Sequence, residues 1–124
     1  MIRPSYKEIN QKITQAKKAI SEHRISLINP ISIATDALEL GFPIESIGKI
    51  LNDILGEITP KDYAGQLPPQ RSYENKIFGS ELYSFRWLSK RLGCNAYLKF
   101  AIKKNQLWLV SLHQARRMRE GKVK

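Results

Sequence analysis

Cysteine is almost absent from this sequence of 124 residues: Cys94 stands alone, so no internal disulfide can form. Only His23 and His113 stand beside it as nitrogen ligands, too few to build a standard structural zinc site, and no metal or other cofactor is expected. No apolar run approaches the roughly 20 residues needed to cross a bilayer. The opening MIRPSYKEINQK also lacks the apolar stretch of a secretory signal. A reducing cytoplasm is the expected setting, with no membrane partner. There is no glycine-rich phosphate loop, no strand-linked GxGxxG and no serine or cysteine nucleophile with plausible triad partners. Nucleotide-cofactor chemistry and triad hydrolysis are thereby excluded as leading readings.

The content that remains is that of one ordinary globular domain over residues 1–124, with 42% hydrophobic and 26% charged residues. Charge is its unusual property. Residues 1–60 hold 7 Lys/Arg and 7 Asp/Glu, whereas residues 61–124 hold 14 against 4, so the whole net charge of +10 belongs to the second half. A field concentrated in this way attracts a polyanion, and nucleic acid heads the list of partners. The plain alternative is basicity with no specific purpose. A membrane surface fits less well, because no helix sets a basic face against a strongly apolar aromatic one.

Periodicity predicts a helix from about Ser5 to Glu22, with Ile9, Ile13, Ala16 and Ile20 on one face and a Ser5/Glu8 capping box at its start. A second, short helix begins at Asn29-Pro30 and ends at Gly41 as a left-handed residue. A third runs from Pro43 to about Leu55 with a broad isoleucine and leucine stripe. The stretch from about Gly56 to Gly79 is rich in proline and glycine and reads as a long loop, functional or merely connecting, with room for a short strand from Tyr73 to Phe78. From Glu81 the period falls to two. Tyr83, Phe85 and Trp87 alternate with polar residues, then Leu98, Phe100 and Ile102 alternate with Tyr97, Lys99 and Lys103, and a third run, Leu107 to Leu112, follows the turn Lys104-Asn105. Residues 114–124 form a basic tail. The expected fold is α+β, with three N-terminal helices on one face of an antiparallel sheet of three or more strands and the other face open.

Metal-free RNA cleavage needs a base for the 2′-hydroxyl, an acid for the leaving 5′-oxygen and cations for the charge developing on phosphorus. The basic half contains candidates for each. His113 is its only side chain of a type that titrates near neutrality, and Tyr97 lies near the start of the neighbouring run; whether the two converge depends on register. Arg86, Lys99 and Lys103 are candidates for the charged role, and Arg71, Lys76, Lys90 and Arg91 for further RNA contacts. The bland alternatives are a solvated histidine at a strand end and a tyrosine that packs or stacks. Glu74 and Glu81 read as salt-bridge partners of nearby cations, not as an acid/base pair.

Taken in order, the basic first helix, the segment ATDALELGFPIESIGKIL, the DY at 62–63 and the closing AYLKFAIKKNQLWLVSLH resemble the MqsR-type toxins, part of the RelE-like group of small bacterial mRNA-cutting toxins. The resemblance spans roughly residues 9–113 and is sharpest at Tyr97-Leu98-Lys99 and Val110-Ser111-Leu112-His113. It implies a RelE-like fold, an mRNA endoribonuclease and a cognate antitoxin protein as partner, with Tyr97 at the position of a functional tyrosine. The chain departs from the family at three places. His113 stands where the family has a lysine closing the last strand, Gly65 where it has a lysine after DFY, and Ser84 where it has a strand glutamine. Arg86, Arg71 or Lys76 are candidates to replace the lost chemistry. Two other readings stay open: a non-catalytic nucleic-acid-binding module on the same scaffold, and a protein-interaction domain for an acidic partner.

Overall fold

The first helix, α1 (Tyr6–Ser21), starts where Ser5 accepts a hydrogen bond from the Glu8 N–H at 3.1 Å. The other half of the expected capping box does not form, because the Glu8 carboxylate is engaged by Arg3 and by the Tyr83 hydroxyl. These assignments come from a computed structural model, which describes residues 2–115; most of the basic segment 114–124 lies outside them. The second helix, α2 (Pro30–Leu40), has the Asn29 cap and proline start that its sequence signals. Gly41 closes it at φ 96°, a left-handed conformation that a residue without Cβ adopts at no steric cost. The third, α3 (Ile47–Leu55), is preceded by a 3-10 turn, Ile44–Ser46, so the expected helix from Pro43 is wound more tightly at its start.

Among the described residues, four strands follow one another as β1 (Ile25–Leu27), β2 (Tyr83–Ser89), β3 (Cys94–Lys103) and β4 (Gln106–Gln114), in the sheet order β1-β4-β3-β2. The last three form the expected antiparallel meander. Lys104 and Asn105 at φ 53° and 63° make the tight turn between β3 and β4. The sheet as a whole is mixed, not antiparallel, because β1 pairs parallel to β4. A strand of three half-buried residues is too short to display an alternation. The segment from Tyr73 to Phe78, which has room for a short strand, forms none. That segment holds a 3-10 turn, Asn75–Ile77, in which Ile77 alone is buried while Tyr73 and Phe78 are exposed.

Ile9, Ile13, Ile33, Ile50, Leu51, Ile54 and Leu55 from the helices share one buried cluster with Phe85, Leu98, Phe100, Leu109 and Leu112 from the sheet. Phe85 and Phe100 stack across β2 and β3 with centroids 5.8 Å apart. Burying each such ring stabilises the fold by about 1.5–3 kcal/mol. The sheet side that contributes to this cluster is its core side. The outer side is not wholly open: Ile77 and Leu82 from the long connection after α3 pack with Ala101, Trp108, Val110 and Ile28 in a second, smaller cluster. The Tyr97 end of the outer side is left uncovered by that cluster.

Candidate functional site

Register decides which side chains meet on the outer side. Arg86 of β2 lies opposite Tyr97 of β3, and Tyr97 lies opposite His113 of β4, so the three form one row across three strands. Tyr97 and His113 stack with ring centroids 5.1 Å apart and 24° between their planes. A β-bulge makes this possible. Lys99 pairs with Ser111 and Phe100 with Leu109, leaving Val110 as an extra residue in β4. Leu107 and Leu109 point to the core, and without the bulge the same phase would carry Ser111 and His113 inward. The extra residue instead brings Leu112 into the core cluster and His113 out beside Tyr97.

The His113 Nδ1 lies 2.8 Å from the Gln114 carbonyl oxygen. A carbonyl oxygen only accepts, so Nδ1 carries the hydrogen in this contact and the neutral ring keeps its lone pair on Nε2.

The next row is Ser84, Lys99 and Ser111. The Lys99 ammonium lies 5.8 Å from the Tyr97 ring centroid, and among the described residues it has no carboxylate partner. Tyr97, Lys99 and Ser84 border a cavity of about 190 Å³ whose other wall is Ala64, Gly65, Gln66 and Gln70 of the long connection. Two of the three positions that depart from the resembled pattern, Gly65 and Ser84, thus border the same cavity as Tyr97. The glycine has a local cause: a Cβ at position 65 would stand 2.5 Å from the Tyr63 hydroxyl. That hydroxyl donates to the Gln66 carbonyl at 2.6 Å, and burial followed by the nearby Glu81 and Glu8 charges pushes it up to about 12. A lysine at 65 is therefore incompatible with Tyr63 as placed.

The remaining candidates are scattered. Lys103 Nζ donates to the Lys76 carbonyl at 3.0 Å, tying β3 to the turn that covers the outer side, while Arg71 Nη1 donates to the Gly79 carbonyl at 3.1 Å within that covering loop. Lys90 and Arg91 sit in the turn between β2 and β3. The structure does not bring Arg91 to the row: its Nε donates to Asp53 of α3 at 2.9 Å and its N–H to Glu57 at 2.8 Å. Glu81 forms an ion pair, with Arg3 at 3.0 Å, whereas Glu74 forms none among the described residues. The Arg3 guanidinium is the first cause that holds the Glu8 and Glu81 carboxyls below their ordinary range.

Gln66 and Gln70 were not singled out from the sequence, and only their place in a long ordered loop pointed to them; Tyr63 entered only through the DY at 62–63, with no role of its own. No group of three or more His, Cys, Asp or Glu converges among the described residues, and no helix among them is long and apolar enough to cross a membrane. No family model matches the chain, and no curated protein matches it.

Proposed function

We propose that this chain is an endoribonuclease of the RelE-like kind, resembling the MqsR-type toxins, that cuts single-stranded mRNA in the cytoplasm and is restrained by a cognate antitoxin protein. The observation that carries the reading is the row of Arg86, Tyr97 and His113 on the outer side of the sheet, with Lys99 in the adjacent row. In the RelE-like arrangement the helices lie together behind the sheet, and the shared core cluster supports that placement.

The step that fits these groups is transesterification. A base takes the proton of the 2′-hydroxyl, whose oxygen forms a bond to phosphorus. The bond from phosphorus to the 5′-oxygen breaks, and an acid returns a proton to that oxygen. His113, with Nε2 carrying the lone pair, and the Tyr97 hydroxyl divide these two proton transfers. Lys99 and Arg86 neutralise the charge that grows on the phosphoryl oxygens.

The test is incubation of purified protein with a labelled mRNA in EDTA. Cleavage to products ending in a 2′,3′-cyclic phosphate is the expected result, and intact RNA would overturn the reading. A second reading, a nucleic-acid-binding module without catalysis, is favoured by Gly65 and Ser84, which stand where the resembled family has a lysine and a glutamine, although Lys99, Gln66 and Gln70 also border the cavity beside Tyr97. It expects bound but uncut RNA in the same experiment.

A further inference from the structure

Tyr73 and Phe78 are large aromatic residues left 83% and 66% exposed, and their rings meet edge to face with centroids 6.4 Å apart. Their loop is not slack. Arg71 bridges to Glu81, the Ser72 N–H donates to the Ser80 carbonyl and the Gly79 N–H to the Ser72 carbonyl, each of these two bonds at 2.8 Å. Ile77, fully buried, pins the loop to the sheet, and Lys103 reaches across to the Lys76 carbonyl at 3.0 Å. A loop anchored at so many points, with one apolar side chain inside and two rings outside, fixes the backbone from which those rings project at the surface. Rings displayed in this way lose little freedom on binding a flat partner.

A second cleft, of about 340 Å³, joins this platform to the site. Arg71, Ser72 and Tyr73 border it on one side and Lys99 and Val110 on the other. Lys99, Gln70 and Leu82 border both this cleft and the cavity beside Tyr97. The cations that border the cleft are Lys99 and Arg71. Glu74 is the carboxylate that borders the cleft.

We infer that the Tyr73–Phe78 pair is a stacking site for unpaired nucleobases, and that single-stranded RNA runs from the cavity beside Tyr97, with a phosphate on Lys99, through the cleft to these rings. Aromatic faces beside a cationic groove are how proteins hold unpaired nucleotides irrespective of sequence. The inference rests on the RNA reading of the Tyr97 site and extends it to a part of the chain, residues 71–80, that carries none of the reacting groups.

The experiment uses a fluorescent single-stranded 2′-O-methyl oligoribonucleotide, which the full chain can bind but cannot cut because the attacking hydroxyl is blocked. Affinity is read by anisotropy, and stacking by the quenching of 2-aminopurine placed along the strand. Tyr73→Ala with Phe78→Ala is expected to weaken binding by roughly 5- to 150-fold per stacked base and to abolish quenching at one position. Tyr73→Trp should retain both, whereas Tyr73→Leu with Phe78→Leu, which keeps apolar area but no π-face, should behave as the double alanine variant. Both positions are exposed, and unchanged thermal unfolding of the variants would show that the fold is kept.

Native affinity in the double alanine variant, or a leucine variant as good as wild type, would overturn the platform; the latter would point to an apolar protein partner. If wild type cuts RNA while the platform variants bind normally, only this inference falls. If wild type neither binds nor cuts, the RNA reading falls with it.

Discussion

Neighbouring residues of β3 serve two regions that are built differently. On the core side, Leu98 and Phe100 are sealed against helices and sheet, at 1% and 0% exposure. On the outer side, Tyr97 and Lys99 are half-buried and front a cavity. Charges follow the same division. Acids on the core side and around α1 are held by specific partners: Glu57 by Trp87, Ser89 and Arg91, Asp53 by Arg91, and Glu8 and Glu81 by Arg3. Lys99 has no such partner among the described residues. Where acids and bases satisfy each other the field is short-ranged; where cations stand together, it extends to an incoming polyanion.

The comparison is tested most severely at the outer row. His113→Ala is expected to lower RNA cleavage by roughly 10²–10⁴-fold, the contribution of a positioned acid or base, with little change in RNA affinity or thermal unfolding. Single-turnover cleavage and anisotropy on the same preparation would check it. Native cleavage by the variant would remove His113 from the mechanism.

Two adjacent substitutions then set the sides against each other. Phe100→Ala should cost about 3–5 kcal/mol of stability by removing a buried ring, measured by urea unfolding. Lys99→Ala should stay within about 0.5 kcal/mol of wild type in stability. It should nevertheless weaken RNA binding and reduce the slope of log affinity against log salt by about one. Equal effects of the two on stability would show that the outer side is structural after all.

A finer cut separates ring from hydroxyl at Tyr97. Tyr97→Phe keeps the stack on His113 and removes only the oxygen. A hydroxyl that carries one of the two proton transfers contributes roughly 10²–10⁴-fold, so cleavage should fall by about that much, with Tyr97→Ala no better. Full activity in Tyr97→Phe beside a dead Tyr97→Ala would assign the residue to packing instead.

Much of this division was readable beforehand, and the parts that were not share a cause. Alternation in β3 placed Leu98 and Phe100 on one side and Tyr97 and Lys99 on the other, because a pleated strand repeats every second residue. The caps at Ser5, Asn29 and Gly41 announced their helices through local hydrogen bonding and backbone freedom. Whether His113 meets Tyr97 was undetermined, since it depends on one extra residue at Val110, and LWLVSLH has apolar residues in both phases. The strand β1 exists only through its pairing with β4, a tertiary contact that three residues cannot signal. Glycine at 65 read as a loss; its reason, the Tyr63 hydroxyl 2.5 Å from where a Cβ would stand, is a contact two residues away that no pattern encodes.

The smallest expected effect concerns acid, and it should strike the core side first. Burial pushes the Glu57 carboxyl up, but hydrogen bonds from the Trp87 indole, the Ser89 hydroxyl and the Arg91 and Lys90 backbone outweigh it and hold the group below its ordinary value of 4.5. Glu8 and Glu81 are depressed as well, first by Arg3. A carboxyl with a lower pKa folded than unfolded binds fewer protons in the native state over the intervening pH range, so stability there rises with pH. Its stabilising contribution is complete above the ordinary glutamate pKa of 4.5 and is lost as pH falls through the depressed folded value. Thermal unfolding of wild type should therefore be flat near neutrality and fall below about pH 4.5. Glu57→Gln keeps the shape and one acceptor oxygen at the turn joining β2 to β3 but cannot titrate; it should begin less stable at neutral pH and decline less steeply in acid. A parallel decline in the two proteins would show that Glu57 adds nothing to the acid sensitivity and that the Arg3 cluster carries it alone.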